Sequence, residues 1–289
     1  MASTRNNILK VIEEVKLLSP SAVRLLAVAS REDHDLKDIV RVIKHDAALT
    51  AKTLQLVNSA AFSLQSKISD LERAITYSGE NFLISLVMTE AADMIYDCDL
   101  AGYDGHKGGL WDHNLLTALA AKRIAALSKE PVNTNIAYTG GLLHDLGKAI
   151  ISDFLKGSLT QLLASLEKGE MPDYAGAEEK ILGIDHTQAG YALACHWNLP
   201  EPLASAMRYH HEPAKAPKEY RSLVYAVHLG DMVAMMTGRD TGADAMRYQL
   251  DDNYIDFIKI TENDLAQIIL DTDSDFCTLK ESMEEQPGI

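Results

Sequence analysis

Residues 140–148 read GGLLHDLGK and place an adjacent imidazole and carboxylate inside an apolar run. Burying such groups without partners is costly, so a metal ion, hydrogen bonds or water must satisfy the pair. Leu142, Leu143 and Leu146 on either side indicate a buried helical segment. The stretch alone leaves these alternatives open, because a buried histidine usually finds ordinary hydrogen-bond partners.

The composition around this stretch is that of a helical protein. Of the 289 residues, 47% are hydrophobic, which is enough for one large domain or two modest ones. Helix formers such as Ala, Leu, Lys and Glu are abundant, and long alternating β-branched runs are absent. We therefore predict an all-α fold built as a multi-helix bundle.

Apolar residues at helical spacing, interrupted by one turn-rich segment, divide the chain into four predicted parts. Residues 1–97 form an N-terminal helical subdomain, and residues 98–110, rich in Gly and Asp, form a linker. Residues 111–238 form a second helical bundle. Residues 239–289 form an acidic C-terminal extension.

Charge and cysteine content exclude several classes of protein. A formal net charge of −15 disfavours a nucleic-acid surface or adhesion to anionic lipid. The three cysteines lie far apart and form no C-x-x-C pair, which is typical of free thiols in a reducing compartment. The apolar run at 223–236 is too short to cross a bilayer, and the N-terminus does not resemble a signal peptide. We expect a cytoplasmic protein without membrane contact.

The dipeptide His-Asp occurs twice, and the two copies predict different roles. Asp46 precedes a run of good helix formers, where a short acceptor side chain caps free backbone N–H groups. We interpret Asp46 as a helix cap, and His45 receives no role. His144 and Asp145 lie instead among leucines, where a cap does not account for the imidazole.

Several other predicted helices carry one imidazole or carboxylate on an apolar stripe. A set of five histidines and two carboxylates, separated by tens of residues, is difficult to satisfy in pairs. A shared cation at the centre of the bundle would satisfy them together. Mixed imidazole and carboxylate ligands suit Fe, Mn or Zn better than Ca. The candidates are His113, His144, Asp145, His186, His210, His211 and Asp231.

The ordered motifs resemble the HD superfamily of metal-dependent phosphohydrolases, and within it the HD-related output domain (HDOD) branch. In the first half the resemblance rests on residues 46–79, DAALTAKTLQLVNSAAFSLQSKISDLERAITYSG. In the second half it rests on LLHDLGK at 142–148, on residues 182–213, which contain DHTQAGYALACHW and RYHHEP, and on VHLGD at 227–231. The resemblance makes residues 111–238 an HD-type metal-binding bundle.

The resemblance also implies roles for single residues. His113, His144, Asp145 and Asp231 match the expected metal ligands, and His186, His210 and His211 match the ligands added in multi-metal members. Lys148 matches a lysine that contacts phosphate, so Asp145 and Lys148 are the expected catalytic residues. The implied cofactor is one or two divalent ions, Fe or Mn first, with Zn or Mg as alternatives.

Two functions follow from this resemblance. The first is a signal-transduction protein that keeps an HD metal site and hydrolyses a phosphoester or nucleotide of unknown identity. The second is a non-catalytic regulatory module that binds a signalling protein and retains the metal only structurally. Hydrolysis of cyclic-di-GMP is not expected, because those phosphodiesterases continue after their paired histidines with a Gly-Tyr-Pro motif, whereas Glu212-Pro213-Ala214 follows His211 here.

Overall fold

The computed structural model describes residues 2–31, 33–58, 67–91, 93–96 and 98–284. In these residues no strand forms, and one isolated antiparallel bridge joins Ser128 to Ile258. The predicted all-α fold is confirmed. Residues 59–66 of the first-half motif and residues 285–289 of the C-terminal extension lie outside the described part.

Sixteen α-helices are described, joined by turns and short 3-10 helices. They are α1 Ala2–Glu14, α2 Pro20–Ala29, α3 Leu36–Ile43, α4 Ala47–Val57, α5 Leu71–Ser78, α6 Glu80–Ala91, α7 Asp93–Tyr96, α8 Gly109–Ala125, α9 Thr134–Leu143, α10 Leu146–Leu155, α11 Leu159–Glu167, α12 Tyr174–Leu182, α13 His186–His196, α14 Glu201–Tyr209, α15 Arg221–Met236 and α16 Glu262–Glu284.

Short polar side chains begin the helices of the N-terminal half. Ser19 caps α2, Asp35 opens α3 with a reciprocal capping box, and Asp70 caps α5. The cap predicted at Asp46 is confirmed, because its Oδ1 accepts hydrogen bonds from the backbone N–H groups of Ala48 and Leu49 at 3.1 Å each. Local sequence therefore sets where these helices begin.

One apolar core runs through both halves of the chain. Ile8 and Ile12 on α1 belong to the same buried cluster as Leu116 on α8 and Leu193 on α13. Beyond α1, the indole N–H of Trp197 donates to the carbonyl of Lys16 at 3.1 Å. The N-terminal half is therefore packed directly on the second bundle, and the division at residues 98–110 stays a prediction.

Two glycines allow the central helices to approach closely. A Cβ on Gly230 of α15 would lie 2.8 Å from the carbonyl oxygen of Thr117 on α8, and a Cβ on Gly147 of α10 would collide with the carbonyl oxygen of His186 on α13. Only glycine fits where backbones meet at this distance. These contacts bring Asp231 towards α8 and bring the His-Asp pair towards α13.

The C-terminal residues return to the second bundle. On α16, Asp271 and Asp275 form ion pairs with Arg123 of α8, at 3.2 and 2.6 Å. Lys280 of α16 lies 2.6 Å from Asp112 at the start of α8. Residues 239–261, between α15 and α16, cross the end of the bundle that holds the candidate site.

None of the described helices has the length and apolar character needed to span a bilayer.

Candidate metal centre

The structure brings all seven predicted ligand residues into one cluster. His113 comes from α8, His144 and Asp145 lie between α9 and α10, and Asp231 comes from α15. His186 begins α13, and His210 and His211 follow α14. Donor atoms fall into two groups, within each of which all atoms lie within 4.8 Å of one another. The first group is Asp145, His186, His210 and His211, and the second is His113, His144 and Asp231.

The Asp145 carboxylate lies between the two groups. Its Oδ2 is 3.4 Å from Nε2 of His113 and 3.5 Å from Nε2 of His144. Its Oδ1 is 3.5 Å from Nε2 of His186 and 3.4 Å from Nε2 of His210. Donors that share one tetrahedral ion at about 2.1 Å stand about 3.4 Å apart. The spacing therefore fits one ion on each side of the carboxylate.

Hydrogen bonds orient the histidines so that their Nε2 atoms face the cluster. The Nδ1–H of His113 donates to the Arg239 carbonyl at 2.7 Å, and that of His144 donates to the Gly141 carbonyl at 2.7 Å. His186 Nδ1 donates to the Glu178 carboxylate at 2.7 Å. When the imidazole is neutral, such partners fix the tautomer in which Nε2 carries the lone pair, as metal-ligating histidines require.

Several polar atoms of the cluster are buried without a hydrogen bond in the described structure. They include Nε2 of His113, His144 and His210, Oδ1 of Asp145 and Oδ2 of Asp231. Leaving one such atom unpaired costs about 1–3 kcal/mol, and here they all point at one another. A divalent cation satisfies nitrogen lone pairs and carboxylate oxygens together, so the donor set fits a metal ion.

Charges in the cluster shift the titration of both carboxylates and imidazoles. Burial alone would raise the pKa of Asp145, but the Lys148 ammonium beside it holds that pKa well below its usual range. Burial opposes charge on His113 as well, yet the neighbouring Asp145 and Asp231 carboxylates raise the pKa of His113 to about 10. Both carboxylates are therefore ionised, as metal ligands must be.

The remaining imidazoles respond differently to their surroundings. Burial lowers the pKa of His210 to about 4, and burial together with the adjacent His210 and His186 holds the pKa of His211 well below its usual range. Burial lowers the pKa of His186 too, but the charge of Glu178 and its hydrogen bond to His186 outweigh this effect and raise the pKa to about 9. In the metal-free protein the cluster thus holds both charged and neutral imidazoles.

Lys148, the predicted phosphate contact, is buried in the same cluster. Its Nζ lies 2.6 Å from Asp145 Oδ2 and 2.6 Å from Asp244 Oδ2. It also donates to the Thr241 hydroxyl at 3.0 Å. The residue is only 2% exposed, so the ammonium faces protein groups rather than solvent.

Sequence reasoning missed the residues that surround the ligands. Glu178 on α12 accepts hydrogen bonds from His186 and, at 2.6 Å, from the Tyr103 hydroxyl. Asp244 and Tyr248 come from the predicted C-terminal extension, which was assigned no role at the site. Glu178 received no role from the sequence, and residues 239–248 carry no periodic pattern. The composition of these segments held no signal for a site.

His228 supports the cluster from outside. Its Nδ1–H donates to the His210 carbonyl at 2.7 Å, and its Nε2 accepts from the Asp251 backbone N–H at 3.0 Å. Both ring nitrogens are therefore used, which removes His228 as a ligand and makes it a packed histidine that holds the backbone of His210.

Comparison with known proteins identifies the family. The HDOD domain family matches residues 16–213, which is more than half of the chain. The chain belongs to the HDOD family. An uncharacterized protein of Treponema pallidum is 27% identical over 230 residues, which make up 80% of this chain and 44% of that protein. The chain thus spans less than half the length of this relative.

Three solved structures share the fold. An HDOD domain protein of unknown function from Geobacter sulfurreducens superposes with a TM-score of 0.65 at 22% identity, covering 99% of each chain. A candidate signal transduction protein from Marinobacter aquaeolei gives a TM-score of 0.72 at 18% identity, over 97% of this chain and 64% of that one. A candidate phosphohydrolase from Shewanella amazonensis gives 0.64 at 21% identity, over 95% and 97%.

Proposed function

We propose that this HDOD protein is a metal-dependent phosphohydrolase that acts in signal transduction on a phosphoester or nucleotide, and that the residues around Asp145 would hold one or two divalent ions. The observation that supports the proposal is the complete ligand set: the two carboxylate oxygens of Asp145 each face two Nε2 atoms at 3.4–3.5 Å. The ligands on one side would be His113, His144 and Asp231. Those on the other side would be His186, His210 and His211.

The donor chemistry favours particular metals. The cluster offers imidazole nitrogens and carboxylate oxygens, and no thiolate belongs to either group of donors. This combination suits Fe or Mn, with Zn or Mg as alternatives. We further propose a cytoplasmic location, which the free thiols Cys98, Cys195 and Cys277 support.

Divalent ions bound here would supply Lewis-acid polarisation of a phosphoryl oxygen and a nucleophilic water at neutral pH. The chain's own contribution is positional. Asp145 and Asp231 supply ionised oxygens, and the backbone contacts of His113 and His144 hold the imidazoles in one tautomer. Lys148 holds its ammonium 2.6 Å from Asp145, where it can pair with a non-bridging oxygen of the substrate. Hydrolysis then breaks the phosphorus–oxygen bond to the leaving group, which departs with a proton from water.

Metal analysis and turnover test this function together. We expect protein purified without chelators to contain up to two ions per chain, and to hydrolyse a member of a phosphomonoester and nucleotide panel with added Mn²⁺ or Fe²⁺. His144→Ala should abolish turnover, whereas the matched variant His45→Ala, in the other His-Asp pair, should behave as wild type. Metal-bound protein that is inactive on the whole panel would overturn the catalytic part.

A non-catalytic role is the second candidate, and one observation favours it. His144, Asp145 and His210 are fully buried in the structure, and Asp231 is only 1% exposed. A site closed in this way can hold a metal as a structural element while partner proteins bind elsewhere. Protein that is strongly stabilised by metal but inactive, in wild type and in variants with an opened site, would favour this role.

A further inference from the structure

The segment that follows α15, residues 239–248, folds over the metal centre. Its first residue, Arg239, uses its backbone carbonyl to hold His113. Further along, the backbone N–H of Ala243 donates to the carbonyl of Tyr103 at 2.6 Å. Thr241 and Asp244 are 3% and 1% exposed, so the segment is packed inward although it has no helix of its own. We call residues 239–248 the covering segment.

The covering segment and Asp145 together engage the donors of Lys148. An ammonium group has three N–H donors. Lys148 has three oxygen neighbours: Asp145 at 2.6 Å, Asp244 at 2.6 Å and the Thr241 hydroxyl at 3.0 Å. Two of the three come from the covering segment. A phosphoryl oxygen can therefore pair with Lys148 only after one of these groups has left.

Hydrogen bonds hold the Asp244 carboxylate in this position. The Tyr248 hydroxyl donates to Asp244 Oδ2 at 2.9 Å, and the Thr241 hydroxyl donates to the same carboxylate at 2.8 Å. Asp244 thus presents a buried, fully bonded oxyanion to Lys148. A substrate phosphate would present the same charge sign and the same acceptor atoms.

Tyr248 covers the imidazole side of the site. Its ring stacks on His211 with centroids 3.8 Å apart and an interplanar angle of 11°. The Lys148 ammonium lies 5.1 Å from the centroid of the same ring. One side chain therefore shields a candidate ligand and contacts the candidate phosphate-binding lysine. Moving the covering segment would uncover both.

We propose that the covering segment is an autoinhibitory element in which the Asp244 carboxylate occupies the oxyanion position of a phosphoryl ligand at Lys148, and Tyr248 closes the site over His211. This inference rests on the proposed function, because it assigns Lys148 to the ligand. It makes the described structure the closed state. Binding of a phosphate or phosphoester displaces Asp244 from Lys148 and moves Tyr248 away from His211.

Phosphate binding to the Asp244→Asn variant tests the displacement. The matched control is Asp252→Asn, which removes an exposed carboxylate a few residues away. Removing the charge that competes for Lys148 should tighten binding of inorganic phosphate, measured by calorimetry, by about tenfold, because a like charge beside a bound anion opposes it. Asp252→Asn should bind as wild type. Equal affinities in Asp244→Asn and wild type, with both folded, would overturn the inference.

The titrations are done on Mn²⁺-treated and on metal-free protein, which keeps the two proposals separable. The gain in phosphate affinity is expected in both states, because Lys148 belongs to the chain. If wild type takes up no Mn²⁺, the proposed metal centre is overturned, but the autoinhibitory role of the covering segment is not. If wild type takes up Mn²⁺ but Asp244→Asn binds phosphate no more tightly than wild type, only the autoinhibitory role of the covering segment is overturned.

A second pair of variants tests the closure by Tyr248. Tyr248→Phe keeps the ring over His211 and removes only the hydroxyl, whereas Tyr248→Ala removes both. We expect a chelator to extract Mn²⁺ about tenfold faster from Tyr248→Ala than from wild type, and at a rate within about twofold of wild type from Tyr248→Phe. Equal extraction rates in all three proteins would contradict closure by this side chain.

Discussion

The two His-Asp pairs of this chain occupy the same local position and do different things. Asp46 and Asp145 are each the residue that immediately precedes a helix, α4 and α10 respectively. The Asp46 carboxylate accepts two backbone N–H groups of its helix. The Asp145 carboxylate accepts no backbone N–H group of its helix and turns into the cluster. The same dipeptide at the same helix position therefore gives a cap in one place and, in the other, a buried carboxylate that lies between two groups of histidines.

The surroundings explain this difference. His45 is exposed, and the Asp46 carboxylate is satisfied by backbone N–H groups of its own helix and by the Ser21 side chain. Asp145 is fully buried and meets Nε2 atoms supplied by three other parts of the chain: α8, α13 and the end of α14. The absence of cap hydrogen bonds is tolerable only if groups in the cluster replace them. The Lys148 ammonium pairs with Oδ2 at 2.6 Å, and in this account a metal ion satisfies the remaining lone pairs.

The largest effect is expected from Asp145→Asn. Wild-type protein should gain thermal stability with Mn²⁺, by about 2.7 kcal/mol when the free metal is at 100 times its dissociation constant. Asp145→Asn should show no such gain, because the bridging charge is lost. Asp46→Asn should keep the wild-type response. Thermal unfolding with and without Mn²⁺ measures this, and an unchanged metal response in Asp145→Asn would contradict the bridging role.

The second effect is a dependence of metal binding on pH. The pKa values of about 10 for His113 and about 9 for His186 mean that both imidazoles are protonated at pH 7.5 in the metal-free protein. Metal ions bind neutral imidazole, so binding should release about two protons at this pH. Affinity should therefore rise between pH 7 and pH 9. Calorimetry in buffers of different ionisation enthalpy counts the protons.

Metal affinity should rise with pH, but the same pKa values predict that the stability of the metal-free protein falls as the pH rises. The folded pKa of His113, about 10, lies above its ordinary value of 6.5. Charge on His113 therefore stabilises the metal-free fold fully below pH 6.5, and this stabilisation is lost as the pH rises through about 10. Metal affinity that is flat from pH 7 to pH 9, with no proton released, would contradict the charged state assigned to His113 and His186.

Glu178→Gln should give the third effect. It keeps the size of the side chain but removes the charge that accepts from His186 at 2.7 Å. Loss of such a partner typically weakens metal binding by about 10–100-fold. The pKa of His186 should fall as well, so proton release at pH 7.5 should drop to about one. Glu179→Gln, which neutralises the exposed neighbouring residue on α12, is the control for loss of a charge and should bind metal as wild type.

Asp46→Ala should give the smallest effect. Loss of an N-cap costs about 1 kcal/mol of stability, and nothing at this site contacts the metal centre. Chemical denaturation should show this loss with unchanged metal affinity. A change in metal affinity in Asp46→Ala would mean that the first His-Asp pair is coupled to the second.

Much of this organisation could be predicted from the sequence. Helical periodicity and cap residues predicted the early helices and the role of Asp46, because both depend on neighbours within a few positions. The seven candidate ligands could be chosen because imidazoles buried on several separate helices are difficult to satisfy in pairs, whereas one shared cation satisfies them together. Their shared location also follows from Gly147 and Gly230, whose backbone contacts the sequence pattern does not reveal.

Residues outside the periodic pattern could not be predicted. Asp244 and Tyr248 lie in a segment without regular structure, and their roles depend on where that segment crosses the bundle. Glu178 looks like any acidic residue on a helix until α12 is placed beside His186. Partners fixed only by tertiary packing leave no local signal in the sequence.

The most direct test of the metal centre is anomalous scattering from crystals grown with Mn²⁺. This account predicts two peaks, one on each side of the Asp145 carboxylate, the first near His113, His144 and Asp231 and the second near His186 and His210. Crystals that show no peak there, with the imidazoles bonded only to neighbouring peptide groups, would contradict it.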